Sequence, residues 1–165
     1  MVKKIGWVVL LFLSLQALLF AVAPAAQPLK SVSDDLAADF TLLDLGKSRV
    51  SLSDFKDKPV ILFFWTTWCP FCLNELKMLN NIYAEMTKDG VELLAINAGE
   101  PFYKVDNFAK RYNLAFRVLL DEDGEVSDSY GVMGVPTYIF IDKKGYIVSR
   151  RHSFSKKIYK DLILD

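Results

Sequence analysis

Cys69 and Cys72 are the only cysteines in a chain of 165 residues, and only Pro70 and Phe71 separate them. Two sulfurs at that spacing can close a small disulfide ring. Proline suits the first turn of a helix, where its missing N–H would have had no partner. A helix that starts at Pro70 leaves Cys69 at its N-terminus, where unpaired backbone N–H groups and the helix dipole stabilise a thiolate. Cys72 then falls inside the first turn and is shielded. The pattern is an asymmetric dithiol: Cys69 attacks, Cys72 resolves. Two blander readings stay open. A structural staple is weak at this spacing, because a four-residue loop contributes about 2 kcal/mol in the chain-entropy model against about 4.7 kcal/mol for a loop of 100 residues. A zinc site needs about four ligands, and the one further nitrogen donor of note is His152, far along the chain and expected at the surface. No metal and no cofactor beyond the Cys69–Cys72 disulfide itself is expected.

The elements that must hold this dithiol follow from the flanking pattern. Residues 60–66 form a continuous apolar run, as in a central strand buried on both faces. A helix follows over residues 70–88 with Cys72, Leu76, Leu79, Tyr83 and Met86 on one face, and Asp89-Gly90 ends it. Short strands are expected at 40–43 and 50–52, around a turn at Gly46. A buried strand is expected at 91–97, a helix at 105–112, a short edge strand at 118–120 and a helical turn at 126–130. Residues 138–142 and 146–150 flank Lys143-Lys144-Gly145 as a hairpin. Ser155 can cap a last helix running to Leu164. Alternating strands and helices mark an α/β class.

Composition bounds the function. Apolar residues make up 52% of the chain and aromatic ones 13%, enough to bury a core and exclude disorder. Twenty basic groups balance twenty acidic ones, so no broad field draws nucleic acid. The acidic run at 121–128 and the basic C-terminal stretch read as solvated faces. Lys3 and Lys4 precede an uncharged apolar run over residues 5–23, the form of an export signal or a membrane anchor. Ala23-Pro24-Ala25 offers a small-x-small cleavage site, and cleavage and retention stay equally open. The chain therefore divides into a leader over 1–25, a linker over 26–37 and one domain over 38–165. That domain is expected outside the cytoplasm.

Beside the dithiol stand Ala38-Asp39-Phe40-Thr41-Leu42, Ser51-Leu52-Ser53-Asp54-Phe55, Phe64-Trp65-Thr66-Thr67-Trp68-Cys69, and residues 130–137, which end in Gly134-Val135-Pro136-Thr137. On these segments the chain resembles thioredoxin-like proteins, more closely the membrane-tethered TlpA-like and ResA-like thiol-disulfide oxidoreductases. The resemblance implies a thioredoxin-like α/β fold: a central mixed sheet flanked by helices, with an N-terminal β-hairpin extension. It implies that Pro136 is a cis proline beside the dithiol and that Val135 presents backbone groups to an extended substrate. Trp68, Pro70 and Phe71 would line the same contact. The carboxylate that ordinary thioredoxins bury in the central strand falls here at Phe63, so that proton acceptor is missing. ResA-like proteins carry a glutamate at the position of Glu75, which is therefore expected to exchange protons with Cys72.

The implied activity is thiol-disulfide exchange outside the cytoplasm, by a monomer that reduces a narrow set of client proteins such as apocytochrome c. A membrane partner would supply the electrons, and the N-terminal segment, if uncleaved, would hold the protein at the membrane. Two alternatives come from other classes. A peroxiredoxin-like peroxidase shares the early segments and the Thr66-to-Cys69 spacing, but position 62 is Leu where that family needs proline. A copper-binding chaperone would need wider cysteine spacing and a well-placed His152.

Overall fold

The computed structural model describes residues 35–164. The expected leader, and the linker up to residue 34, lie outside the described residues. Residues 35–37 are laid along the domain. Asp35 pairs with Arg150 at 2.8 Å, Leu36 bridges Tyr146, and the Ala37 N–H donates to the Gly145 carbonyl at 2.9 Å.

The strand that leads into the dithiol, β3 (Val60–Trp65), is buried along its whole length. Its side chains alternate: Ile61, Phe63 and Trp65 enter one apolar cluster, while Val60, Leu62 and Phe64 enter another on the opposite face. Each such side chain contributes about 1.5–3 kcal/mol by leaving water, so this strand anchors the sheet. β4 (Glu92–Ala98) runs parallel to it, and β5 (Arg117–Asp121) runs parallel to β4. β6 (Thr137–Ile141) and β7 (Ile147–Arg151) form an antiparallel hairpin, with β6 antiparallel to β3. An N-terminal hairpin, β1 (Thr41–Asp44) and β2 (Arg49–Ser51), completes a seven-stranded mixed sheet in the order β2-β1-β5-β4-β3-β6-β7.

That order corrects one expectation. β5 was expected at an edge, but β1 pairs antiparallel with it through Leu43 opposite Leu120, so it lies inside the sheet. The hairpin extension supplies the missing neighbour for an apolar strand that would otherwise expose its backbone.

Among the described residues, four α-helices pack on the sheet. α1 (Pro70–Lys88), α2 (Phe102–Tyr112) and α4 (Lys156–Leu164) contribute to the cluster that holds Phe63 and Trp65, and α3 (Glu125–Ser129) lies by the other. α1 buries Cys72, Leu76, Leu79 and Met86, and Gly90 at φ 74° lets the chain turn away at its end. α2 begins three residues before its expected start, because the Phe102 N–H finds an acceptor in Glu122 Oε1 at 2.7 Å. No described helix is long and apolar enough to cross a membrane.

Candidate active site

The carboxyl ends of β3, β4 and β5 share one sheet edge with the start of β6 and the end of β7, by their parallel and antiparallel registers. Ligand and reaction sites of α/β sheets gather at such an edge. Here it carries the dithiol. Cys69 is the N-cap of α1, Pro70 is its first residue, and Cys69 and Cys72 are joined as a disulfide. The Cys72 backbone N–H points at Cys69 Sγ from 3.1 Å, the kind of contact that stabilises a thiolate on Cys69 once the bond is opened. Cys72 is wholly buried and Cys69 keeps 5% of its surface, so the two sulfurs differ in the expected sense, although Cys69 is less open than its attacking role suggested.

The loop before β6 meets this pair. The Val135–Pro136 peptide is cis, and the Val135 carbonyl oxygen is 3.7 Å from Cys69 Sγ. His152, expected simply as a surface residue, is exposed, yet its Nδ1 reaches the Pro136 carbonyl at 3.0 Å and Thr137 Oγ1 at 3.3 Å. A carbonyl can only accept, so that nitrogen carries the hydrogen. Sixteen residues separate His152 from Pro136 along the chain, and the two meet because β7 ends beside the start of β6. Around the disulfide, Trp68 and Phe71 stand 68% and 71% exposed. Pro70 is exposed as well, while Val135 and Pro136 are half-buried. Met133, three residues before Pro136 in the same loop, is almost fully exposed.

Glu75 lies one helical turn beyond Cys72, half-buried on α1. Its Oε2 accepts a hydrogen bond from the Tyr138 hydroxyl at 2.6 Å and a longer one from the Phe154 N–H at 3.3 Å. Burial, then the neighbouring Glu75, pushes the Tyr138 phenol far above its ordinary value, so the hydroxyl remains a donor. Tyr138 stacks on Phe63 with ring centroids 4.5 Å apart, filling with aromatic surface the place where a strand carboxylate would have stood. The sequence showed no cation within reach of Glu75 along its helix. The partner is instead a tyrosine two residues past the cis proline.

A second carboxylate, overlooked in the sequence, lies at the same edge. Glu100 follows β4, is buried, and accepts hydrogen bonds from the Thr67 backbone and hydroxyl. Its signal was an acidic residue just past the carboxyl end of a parallel strand. Among the described residues, no group of three His, Cys, Asp or Glu side chains is placed to hold a metal ion.

Residues 34–150 match the AhpC/TSA family. The thiol-disulfide oxidoreductase ResA of Bacillus thuringiensis subsp. konkukian is 41% identical over 112 residues, 68% of this chain and 65% of that relative. The chain thus matches slightly less than two thirds of that relative's length. The crystal structure of StoA from Bacillus subtilis superimposes with a TM-score of 0.66 at 27% identity, covering 77% of this chain and 97% of StoA. A secreted disulfide oxidoreductase of Mycobacterium tuberculosis, described as homologous to DsbE of E. coli, gives a TM-score of 0.65 at 26% identity over 76% of this chain and 94% of its own.

Proposed function

Because this chain belongs to the AhpC/TSA family and is similar to ResA-type oxidoreductases, we propose that it is a thiol-disulfide oxidoreductase that reduces disulfides in client proteins. One observation carries the reading: a two-cysteine pair caps α1, with Cys69 Sγ against the Val135 carbonyl of the cis-proline loop.

In the reduced state the Cys69 thiolate attacks one sulfur of a client disulfide. The Cys69–client bond forms, the client S–S bond breaks, and the first client thiolate leaves. Cys72 then gives up its proton and attacks Cys69 Sγ, forming the Cys69–Cys72 disulfide and releasing the second client thiolate. Two electrons pass to the client, and the protein is left in the oxidised form described here. Glu75, one helical turn beyond Cys72 and held by the Tyr138 hydroxyl, takes the Cys72 proton in this scheme. Val135 offers its backbone to an extended client segment, and Trp68, Pro70, Phe71 and Pro136 form the surface on which that segment rests.

The protein works outside the cytoplasm, exported or held at the membrane by the apolar segment over 5–23. A membrane thiol-disulfide partner restores the dithiol. The clients are few, with a Cys-x-x-Cys-His segment awaiting haem attachment as the leading class. The similarity to a secreted oxidoreductase supports this placement. The reading is tested by trapping. Cys69→Ser should abolish exchange, and Cys72→Ser should accumulate a mixed disulfide through Cys69 with a peptide that carries the oxidised Cys-x-x-Cys-His segment. Equal adduct formation by Cys69→Ser would overturn the division of roles.

A further inference from the structure

Glu100 is only 4% exposed, and a carboxylate is rarely buried unless other groups hold it there. Here they do. Oε2 accepts from the Thr67 backbone N–H at 2.6 Å and from Asn97 Nδ2 at 2.9 Å, while Oε1 accepts from the Thr67 hydroxyl at 2.7 Å and pairs with Lys104 Nζ at 2.7 Å. Burial alone would push this carboxyl up. The bonds from Lys104, Asn97 and Thr67 outweigh burial and hold it below the ordinary value, so it is ionised at neutral pH.

Two of these bonds end on Thr67, two residues before Cys69. β3 has already ended at Trp65, so the sheet no longer fixes the chain at that point. The turn's own closing bond, from the Cys69 N–H to the Thr66 carbonyl, is 3.5 Å long, the far limit of a hydrogen bond. Asn97 shows what the cluster serves. Its amide nitrogen is spent on Glu100, while its oxygen is buried without a partner. An unpaired buried acceptor costs about 1–3 kcal/mol, and the charge-assisted bond from the same amide to the Glu100 carboxylate offsets it.

Resting on the oxidoreductase reading, we propose that Glu100 is a positioning residue for the exchange reaction. Its carboxylate clamps the 66–69 turn so that Cys69 Sγ is delivered to the Val135 carbonyl and to an incoming client sulfur. A displacement of about 1 Å at a reacting atom can cost about 10²-fold in rate, so a clamp two residues away has leverage on the chemistry without touching the substrate.

The test uses the full chain, reduced, reacting with Ellman's reagent and with the oxidised Cys-x-x-Cys-His peptide. Rates are taken on the alkaline plateau, where Cys69 is fully thiolate and its acidity no longer limits the rate. Glu100→Gln keeps the shape but turns an acceptor into a donor that faces donors, and its plateau rate should fall about 10- to 100-fold. Thr67→Val keeps the backbone donor and should lose several-fold. A part played only in stability would instead lower the unfolding midpoint and leave the plateau rate of the folded protein unchanged, which overturns the proposal. If Glu100→Gln does not fold, a wild-type plateau in folded Thr67→Val overturns it equally. Wild-type protein that exchanges normally alongside unaffected variants sinks the clamp alone. Wild-type protein that exchanges with neither disulfide sinks the oxidoreductase reading and the clamp with it.

Discussion

At the scale of single residues, the proposed reaction is divided between Cys69 and Cys72 by their places on one helix end. Cys69 has the helix N-terminus and the Cys72 N–H to stabilise its charge, while Cys72 has no exposed surface and needs a proton acceptor from within. Glu75 is that acceptor in the proposed reaction, and Tyr138 fixes its orientation. Glu75→Gln should therefore slow the second step more than the first. Release of client from the mixed disulfide should fall by roughly 10²-fold, the lower end of general acid–base contributions, while formation of the adduct changes little. Tyr138→Phe keeps the ring on Phe63 and removes only the donor, so it should slow release less and cost about 1 kcal/mol of stability. Acid-quenched time courses that count the mixed disulfide separate the two steps, and equal release rates in all three proteins would return Glu75 to an ordinary helix residue.

At the scale of elements, α1 links the site to the rest of the sheet, and its far end is tied to α4. Asp89 accepts from the Tyr159 hydroxyl and from Lys160, whose ammonium also reaches Glu85 at 2.9 Å. The Tyr159 hydroxyl and then Lys160 hold the Asp89 carboxyl below its ordinary value of 3.8. A carboxyl lowered in the folded state contributes stability that is fully present above its unfolded value and is lost as pH falls through its folded value. Docking of α4 should therefore weaken below about pH 4. Asp89→Asn should flatten that part of the stability profile, as read by urea unfolding at a series of acid pH values. Such long-range ties were invisible in the sequence, whereas the elements themselves were not. The apolar run at 60–66, the Cys72/Leu76/Leu79/Met86 stripe and the Lys-Lys-Gly turn each carry a local period or turn chemistry, and all three elements formed near the expected bounds. The place of β5 depends on pairing with β1, as Leu43 with Leu120 far along the chain, which no local pattern encodes. The same holds in the site: the dithiol is a contiguous motif, while Glu100, His152 and Tyr138 reach it through sheet register.

At the scale of the whole molecule, one edge of a seven-stranded sheet gathers a disulfide, a cis-proline loop, two carboxylates and the exposed Trp68 and Phe71 that flank the cysteines. In the proposed reaction Trp68 and Phe71 receive an apolar, extended client segment, and the buried second sulfur closes the exchange by taking Cys69 back from the client. Direction is set by the reduction potential of the pair. A reductant must lie below its clients, and for two electrons each 30 mV is worth about 1.4 kcal/mol. The direct measurement is the potential of the Cys69–Cys72 couple, obtained by equilibrating the full chain with thiol–disulfide buffers and counting free thiols. A reductase should give a value close to the roughly −270 mV of thioredoxin or lower, and a value near the roughly −120 mV of DsbA would contradict it.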